Sequence, residues 1–320
     1  MERENRVVGA VVGSAVGDAL GAPFEFGPPS VLSRRFPDAS DAAGAEMCGG
    51  GGWAPGEATD DTQMALLVAE SLLDAGGFDG ADMFGRFCRW AAAEPKDIGL
   101  QTDAVLSSGL PWDRAAADYY ARRGRAAGNG SLMRTTPAAV FFAGQGRAGT
   151  MDAARRISAL THGDPAAGEG CAIFHELIRI ALDGGDPLRT IADVLSAVAT
   201  DHRPRWVTVL APDWHPDQAT ETNGAVWPTL GSAVWALRTT SSFDAALRKV
   251  IDLGGDTDTV AAVTGGLAGA VYGIDAIPHR WISPLFVQLP GFGDKPWTPG
   301  DLSDLAVRLD HSSGPPKLAR

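Results

Sequence analysis

Most of the chain shows the helical pattern, in which apolar residues recur every three or four positions. Turn-forming stretches rich in glycine and proline, such as 49–53, 76–80, 184–187 and 290–297, separate the apolar segments. No series of strands alternates with these segments, and only residues 206–212 are typical of a short strand. The pattern predicts helices at 5–20, 60–75, 80–93, 113–123, 131–143, 151–160, 165–183, 187–199, 225–239, 242–252, 257–272 and 301–309.

The predicted elements form one all-α domain over residues 1–320, because a single strand cannot make a sheet. Two segments between helices, 23–58 and 200–224, are long for a compact domain, and loops of that length are often functional. Hydrophobic residues make up 45% of the chain and charged residues 21%, a composition that excludes wholesale disorder.

Two predicted helices carry glycine at every fourth position. The two series are Gly9, Gly13, Gly17 and Gly21 in the first helix, and Gly265, Gly269 and Gly273 near the end. Residues four apart share one face of a helix, so each series forms a flat ridge without side chains. The ordinary interpretation is close packing of helices. Groups at the ends of such helices are then drawn together as well.

Charge and the N-terminal segment argue against several classes of protein. The net charge of −12 is unfavourable for a nucleic-acid surface or for binding to anionic membranes. The apolar run at 7–17 is too short to span a membrane, and Asp18 follows it. Acidic residues cancel the basic ones among the first six residues, so the positive start of a signal peptide is missing. We therefore expect no membrane association.

The three cysteines, Cys48, Cys88 and Cys171, are widely separated and form no CxxC motif. This spacing predicts neither a disulfide scaffold nor a structural zinc site. A reducing compartment fits this cysteine usage, so we expect a cytoplasmic location.

Two predicted helices that are apolar on nearly all sides begin with the same polar pattern. The pattern is a pair of aspartates with threonines, Thr59, Asp60, Asp61 and Thr62 in one helix and Asp256, Thr257, Asp258 and Thr259 in the other. A helix that is apolar all round is a buried helix, so these acids are expected near the core.

Capping explains one acid at each helix start, where a side-chain oxygen accepts from free N–H groups and contributes about 1 kcal/mol. It does not explain four converging carboxylates, each of which would carry a desolvation cost of several kcal/mol. Such a group either takes up protons or binds cations. Oxygen ligands without His or Cys favour Mg²⁺ or Mn²⁺ over zinc. Two divalent ions would balance the four negative charges, which predicts a binuclear site.

Other polar residues lie at similar junctions, and each has an ordinary explanation when taken alone. Glu25 follows Pro23 in a loop after the first helix, and Asp97 follows another helix. The glycine-rich GNGSLMR at 128–134 either presents N–H groups to a phosphate or simply begins a helix. A lone histidine such as His162 is more often structural than functional.

Together these motifs resemble those of the ADP-ribosylglycohydrolase family. They follow the family's order over residues 8–273, as GSAVGDALGAPFEF, PGEATDDTQMAL, DIGLQT, GNGSLMR, THGDPAAGEGC and LGGDTDTVAAVTGGLAGAVYG. The resemblance implies an all-α orthogonal helix bundle with two Mg²⁺ or Mn²⁺ ions in a central cleft. It also implies hydrolysis of the bond between ADP-ribose and its acceptor, on a modified protein or a small conjugate.

The resemblance further implies roles for individual residues. The implied metal ligands are Thr59, Asp60, Asp61, Asp256, Asp258 and Thr259. Glu25 matches an acidic residue on a mobile loop near the metals, and Asp97 matches a substrate-facing acid of arginine-directed members. The residues implied to contact ADP-ribose are Asn129, Gly130, Ser131 and His162.

Hydrolysis at the anomeric carbon passes through an oxocarbenium-like state, in which Glu25 or Asp97 could exchange protons with the water or leaving group. We expect arginine as the acceptor, because a carboxylate such as Asp97 can pair bidentately with a guanidinium group. Serine-linked and ester-linked ADP-ribose are alternative substrates. A non-catalytic ADP-ribose-binding protein and a binuclear phosphohydrolase are alternative functions, although the intact acid pairs argue against the first.

Overall fold

The computed structural model describes residues 1–37 and 46–312, and within these ranges it contains helices and isolated bridges but no β-sheet. The predicted all-α fold is therefore confirmed. Part of the predicted loop at 23–58 lies outside the described residues. The α-helices are α1 (Arg3–Gly21), α2 (Val31–Arg35), α3 (Asp60–Ala75), α4 (Gly80–Ala92), α5 (Leu100–Leu106), α6 (Ala115–Arg123), α7 (Thr136–Phe142), α8 (Gly146–Ser158), α9 (Pro165–Leu182), α10 (Ile191–Ser196), α11 (Arg203–Val209), α12 (Val226–Thr239), α13 (Phe243–Ile251), α14 (Thr257–Tyr272), α15 (His279–Ile282) and α16 (Pro299–His311).

The structure corrects two sequence predictions. The predicted strand at 206–212 is wrong, because most of it belongs to α11. Its β-branched residues favour a strand, but Pro204 starts a helical turn and Trp206 is buried against the core. The helix predicted at 131–143 begins only at Thr136, where Pro137 occupies the first turn, and 131–134 form turns.

Helices α1 and α14 form the central pair of the bundle, and the glycine ridges lie between them. A Cβ atom added at Gly13 would lie 2.6 Å from the carbonyl O of Gly265, and one added at Gly21 would lie 2.5 Å from that of Thr257. The expected close packing is confirmed. Gly21 follows Gly13 in α1, whereas its partner Thr257 precedes Gly265 in α14, so the two helices run antiparallel. The end of α1 therefore lies beside the start of α14.

Helix α1 is also long and apolar enough to pass a test for a membrane span. The most apolar 18-residue window of the segment Arg3–Phe24 has a mean hydropathy of 1.5, because the helix continues past Asp18, beyond the apolar run at 7–17. Within the protein, 94% of this segment's most apolar window is buried. Core helices pass the same test, and the packing against α14 makes α1 such a helix.

The remaining long helices enclose this pair. Helix α14 also packs against α9, α12 and α13, while α1 contacts α3, α7 and α16. The large side chains of Trp90, Trp206 and Trp281 are almost fully buried in the surrounding layers. The starts of α3 and α14 thereby lie at the centre of the bundle.

Candidate active site

The two aspartate motifs meet at the starts of α3 and α14. The hydroxyl of Thr259 donates to Oδ2 of Asp61 over 3.4 Å, although 198 positions separate the two residues. Asp60, Asp61 and Asp258 are nearly inaccessible to solvent, as is Thr59. Several carboxylates therefore share one buried region of the protein.

Asp18 of α1 caps the start of α3. Its carboxylate accepts from the backbone N–H groups of Thr59 at 3.0 Å and Thr62 at 3.1 Å, and from the Thr62 hydroxyl at 2.5 Å. Thr59 adds a weaker contact by accepting from the N–H of Asp61. The N–H groups of Thr59, Asp61 and Thr62 thus have acceptors other than the carboxylates of Asp60 and Asp61, and capping does not explain the acid pair.

Glu25 lies beside the second acid pair. Carboxylate oxygens of Glu25, Asp256 and Asp258 are all within 4.8 Å of one another. Backbone hydrogen bonds hold the Glu25 loop in place, from the N–H of Phe26 to the Gly255 carbonyl at 2.6 Å and from Gly255 to Gly27 at 3.1 Å. The resemblance implies a mobile loop for Glu25, and in the structure these hydrogen bonds join the loop to the segment preceding α14.

Burial makes the charged form of these acids unfavourable. Desolvation raises the pKa of Asp60, Asp61 and Asp258 well above the ordinary value, and repulsion between the carboxylates raises it further. Desolvation and the charge of Asp256 raise the pKa of Glu25 to about 7. The carboxylates therefore hold protons readily unless a cation compensates their charge.

The buried acids open into a cavity of about 430 Å³. Ten of the twelve residues predicted for the site line this cavity, and the other two are Thr59 and Ser131. Asp97 lies at the wall, where its Oδ1 accepts from the N–H of Ile98 at 2.8 Å. This contact orients the Asp97 carboxylate.

The GNGSLMR segment, which the sequence interprets either as a phosphate loop or as a helix start, reaches the site through Asn129 and Gly130. The side-chain Nδ2 of Asn129 donates to Oδ2 of Asp256 at 2.8 Å, and its backbone N–H donates to Gly224. Asn129 therefore orients an acid of the cluster. The Ser131 hydroxyl lies in the core, 2.8 Å from that of Ser158. Within the described ranges, the backbone N–H groups of Gly130 and Ser131 have no acceptor, and Gly130 lines the cavity whereas Ser131 does not.

The ADP-ribosylglycohydrolase family model matches residues 1–315. The chain belongs to this family. Its members are hydrolases of ADP-ribose glycosidic bonds, so the resemblance and the enzyme class expected from the motifs are confirmed.

Individual relatives agree with this membership. The chain is 30% identical over 289 residues to the ADP-ribosyl-[dinitrogen reductase] glycohydrolase of Rhodospirillum rubrum, covering 89% of this chain and 92% of that protein. It is 31% identical over 252 residues to the ADP-ribosylarginine hydrolase Tri1 of Pseudomonas putida, covering 74% of this chain and 65% of that protein. A solved structure of an ADP-ribosylglycohydrolase-related protein complex superposes with a TM-score of 0.75 at 34% identity, covering 98% and 99% of the two chains.

Sequence reasoning missed two residues that support the acid cluster of this ADP-ribosylglycohydrolase. Asp18 stood out only as a polar residue at the end of the first apolar run, with no role assigned, and its cap on α3 depends on tertiary contact. Asn223 accepts from the N–H of Asp256 at 3.1 Å and donates to the Gly254 carbonyl at 2.8 Å. The length of the 200–224 loop was a general indication of function, but nothing in it singled out Asn223.

Four further residues of the cavity wall were also missed. Leu100, Gln101 and Thr102 at the start of α5 line the cavity, and α5 was not among the predicted helices. Phe26 lines it as well, with a side chain that is 81% exposed and a left-handed backbone at φ 55°. The DIGLQT motif contains three of these four residues and could have indicated them.

Proposed function

We propose that this chain hydrolyses the glycosidic bond that joins ADP-ribose to an acceptor, with two divalent cations, Mg²⁺ or Mn²⁺, held by the aspartate pairs. One observation carries the proposal. Oδ1 of Asp61 is buried and has no hydrogen-bond partner within the described residues, although the acids of both motifs surround it. An orphaned carboxylate oxygen among other carboxylates is the arrangement that a hard cation satisfies.

The residues present fit such cations in their chemistry. The proposed ligands all offer oxygen, and they are Thr59, Asp60, Asp61, Asp256, Asp258 and Thr259. Glu25 is close enough to the second pair to join them. When bound, the cations would orient the ribose hydroxyls and a water molecule and lower the pKa of that water.

Residues of the chain itself have separate roles in the proposed reaction. Asn129 holds the Asp256 carboxylate through its amide, so that acid keeps one orientation. Glu25 lies beside the second acid pair at the cavity wall, where its carboxylate is placed to accept a proton from the water and return it. The cavity excludes part of the solvent around the reacting bond, and Gly130 at its wall offers a backbone N–H to a phosphate.

Arginine is the acceptor that the site supports best. Oδ1 of Asp97 is engaged by the N–H of Ile98, which leaves Oδ2 directed to a cationic guanidinium leaving group. A relative named as an ADP-ribosylarginine hydrolase supports this choice. The substrate would be an ADP-ribosylated protein or a small ADP-ribose conjugate in the cytoplasm. Nucleic acid is disfavoured as a partner by the net charge of −12.

The test is incubation with proteins ADP-ribosylated separately on arginine and on serine, with Mg²⁺, with Mn²⁺ and with a chelator. We expect release of ADP-ribose from arginine, dependent on the metal. Asp256→Asn should fold, because the change relieves repulsion, and should release none. Release from serine alone would contradict the acceptor, release of phosphate would indicate a phosphohydrolase, and binding of ADP-ribose without turnover would indicate a non-catalytic protein.

A further inference from the structure

Arg134 at the end of the GNGSLMR segment is fully buried without a counter-charge. Its Nη2 donates to Oγ1 of Thr161 at 2.7 Å, and its guanidinium lies 4.5 Å from the centroid of the Phe87 ring. Within residues 1–37 and 46–312, no carboxylate forms an ion pair with it, and its Nε has no partner. Removing a guanidinium from water without a counter-charge costs free energy. The short hydrogen bond to Thr161 is the polar contact that offsets part of this cost.

Thr161 connects this arginine to His162. Oγ1 of Thr161 lies 2.8 Å from Nδ1 of His162, and Thr161 is itself fully buried. A guanidinium can only donate, so the hydroxyl oxygen must accept from Arg134. The hydroxyl proton then has one acceptor within the described residues, which is Nδ1 of His162. The opposite arrangement would leave a buried O–H without a partner.

His162 faces the cavity through its other ring nitrogen. Nε2 would lie 3.2 Å from a Cβ added at Gly130 and 3.4 Å from one added at Gly128, so it borders the glycine loop. The residue is 3% exposed and lines the cavity wall. Burial and the charge of Arg134 lower the pKa of His162 to about 3, so the ring is neutral. A neutral ring with unprotonated Nδ1 carries its proton on Nε2.

We propose that Arg134 and Thr161 are positioning residues that hold His162 as the neutral Nε2–H tautomer, so that it donates one fixed hydrogen bond to a phosphate oxygen of the bound nucleotide. The tautomer is assigned from the direction of the hydrogen bonds. Gly130 lines the same part of the cavity and offers a backbone N–H beside this donor. This inference rests on the proposed function only for the identity of the ligand.

The experiment is ¹⁵N NMR of the histidine rings in the full chain, without ligand, where protonated and unprotonated ring nitrogens differ clearly. We expect His162, assigned with His162→Gln, to be protonated at Nε2. Thr161→Val should replace this state by a mixture of tautomers, whereas Thr161→Ser should preserve it. Thr161→Val should also weaken ADP-ribose binding by about tenfold, the scale of one lost hydrogen bond.

Thr150→Val is the matched control, because Thr150 is an equally buried threonine 3.4 Å from Nδ1 of His175, outside the cavity. It should leave the His162 spectrum and ADP-ribose binding unchanged. ADP and ADP-ribose should both shift the His162 Nε2 resonance, and adenosine should not.

A protonated Nδ1 in the wild-type chain, or an unchanged tautomer in Thr161→Val, would overturn the proposal. The wild-type spectrum alone decides this if Thr161→Val fails to fold. The NMR measurement does not depend on hydrolysis. If the proposed function were wrong but this inference correct, His162 would show the Nε2–H tautomer and the chain would release no ADP-ribose.

Discussion

The antiparallel contact of α1 and α14 couples the stability of the fold to the geometry of the site. Gly21 and Gly9 lie at opposite ends of this contact, about 18 Å apart along α1 at 1.5 Å per residue. An alanine Cβ at either position would lie 2.5 Å from a backbone carbonyl of the other helix. The two substitutions are therefore equal in crowding and differ in their distance from the acid cluster.

The expected cost follows from the close approach. Ordinary contacts begin at 3.4 Å, so each alanine must separate the helices locally by roughly 1 Å. Overpacking of this kind costs about 1–3 kcal/mol, and the gain in helix propensity from glycine to alanine offsets about 1 kcal/mol. We expect Gly9→Ala and Gly21→Ala each to lower the free energy of unfolding by up to ~2 kcal/mol.

The functional effect should differ between the two variants. The hydroxyl of Thr257 donates to the carbonyl of Gly21 at 2.9 Å, so separation at this end moves the start of α14 away from the Glu25 loop. A displacement of 1 Å at a reacting site can cost about 10²-fold in rate. Gly21→Ala should therefore lower kcat/KM and Mn²⁺ affinity, whereas Gly9→Ala should leave both close to the wild-type values.

Urea unfolding, calorimetric titration with Mn²⁺ and hydrolysis of ADP-ribosylarginine measure these effects. Gly85→Ala in α4 is the control, because no atom lies within 4 Å of its added Cβ and the position is exposed. It should raise stability by about 0.5–1 kcal/mol through helix propensity alone. If Gly21→Ala were as stable as Gly85→Ala, or Gly9→Ala as inactive as Gly21→Ala, the coupling would be refuted.

Three further predictions concern the acids. Asp18→Asn removes the charged cap of α3, so urea unfolding should show a free energy of unfolding lower by about 1 kcal/mol. Calorimetric titration should show a weaker affinity for Mn²⁺, and an unchanged affinity would mean that the cap does not orient the acid pair. In a chelator, the folded chain binds protons more tightly than the unfolded chain, because Glu25 has its pKa raised from 4.5 to about 7. The free energy of unfolding should therefore fall as pH rises from 4.5 to about 7, and it should fall less in Glu25→Gln. A melting temperature that does not change between pH 4.5 and 7 would contradict this. Asp97→Asn should cost about 2–3 kcal/mol of transition-state stabilisation on arginine-linked ADP-ribose and much less on a serine-linked substrate, so equal losses in kcat/KM would remove the basis for the arginine assignment.

Local patterns were sufficient for most of the helices. The apolar faces of α3 and α14 and the turn residues around them predicted both helices over the observed residues, 60–75 and 257–272. The exception at α11 shows where this reasoning fails, because Val207, Thr208 and Val209 favour a strand by residue type. Packing of Trp206 into the core decided in favour of a helix there.

The sequence by itself determined the kind of chemistry. Paired acids at the starts of two buried helices exclude a purely apolar core, and their oxygen ligands indicate a hard cation, because residue type alone sets ligand preference. The period of the glycines likewise determined that two helices approach closely, since four-residue spacing places them on one face.

Tertiary structure alone decided what each polar residue near the cluster does. Asp18 caps α3 across 41 positions and thereby releases Asp60 and Asp61 from capping. Asn129, which the resemblance placed against ADP-ribose, also donates to Asp256 across 127 positions. Periodicity reports which face of an element a residue occupies. A hydrogen bond depends on distances of about 3 Å between elements, and only the packing of the helices sets those distances.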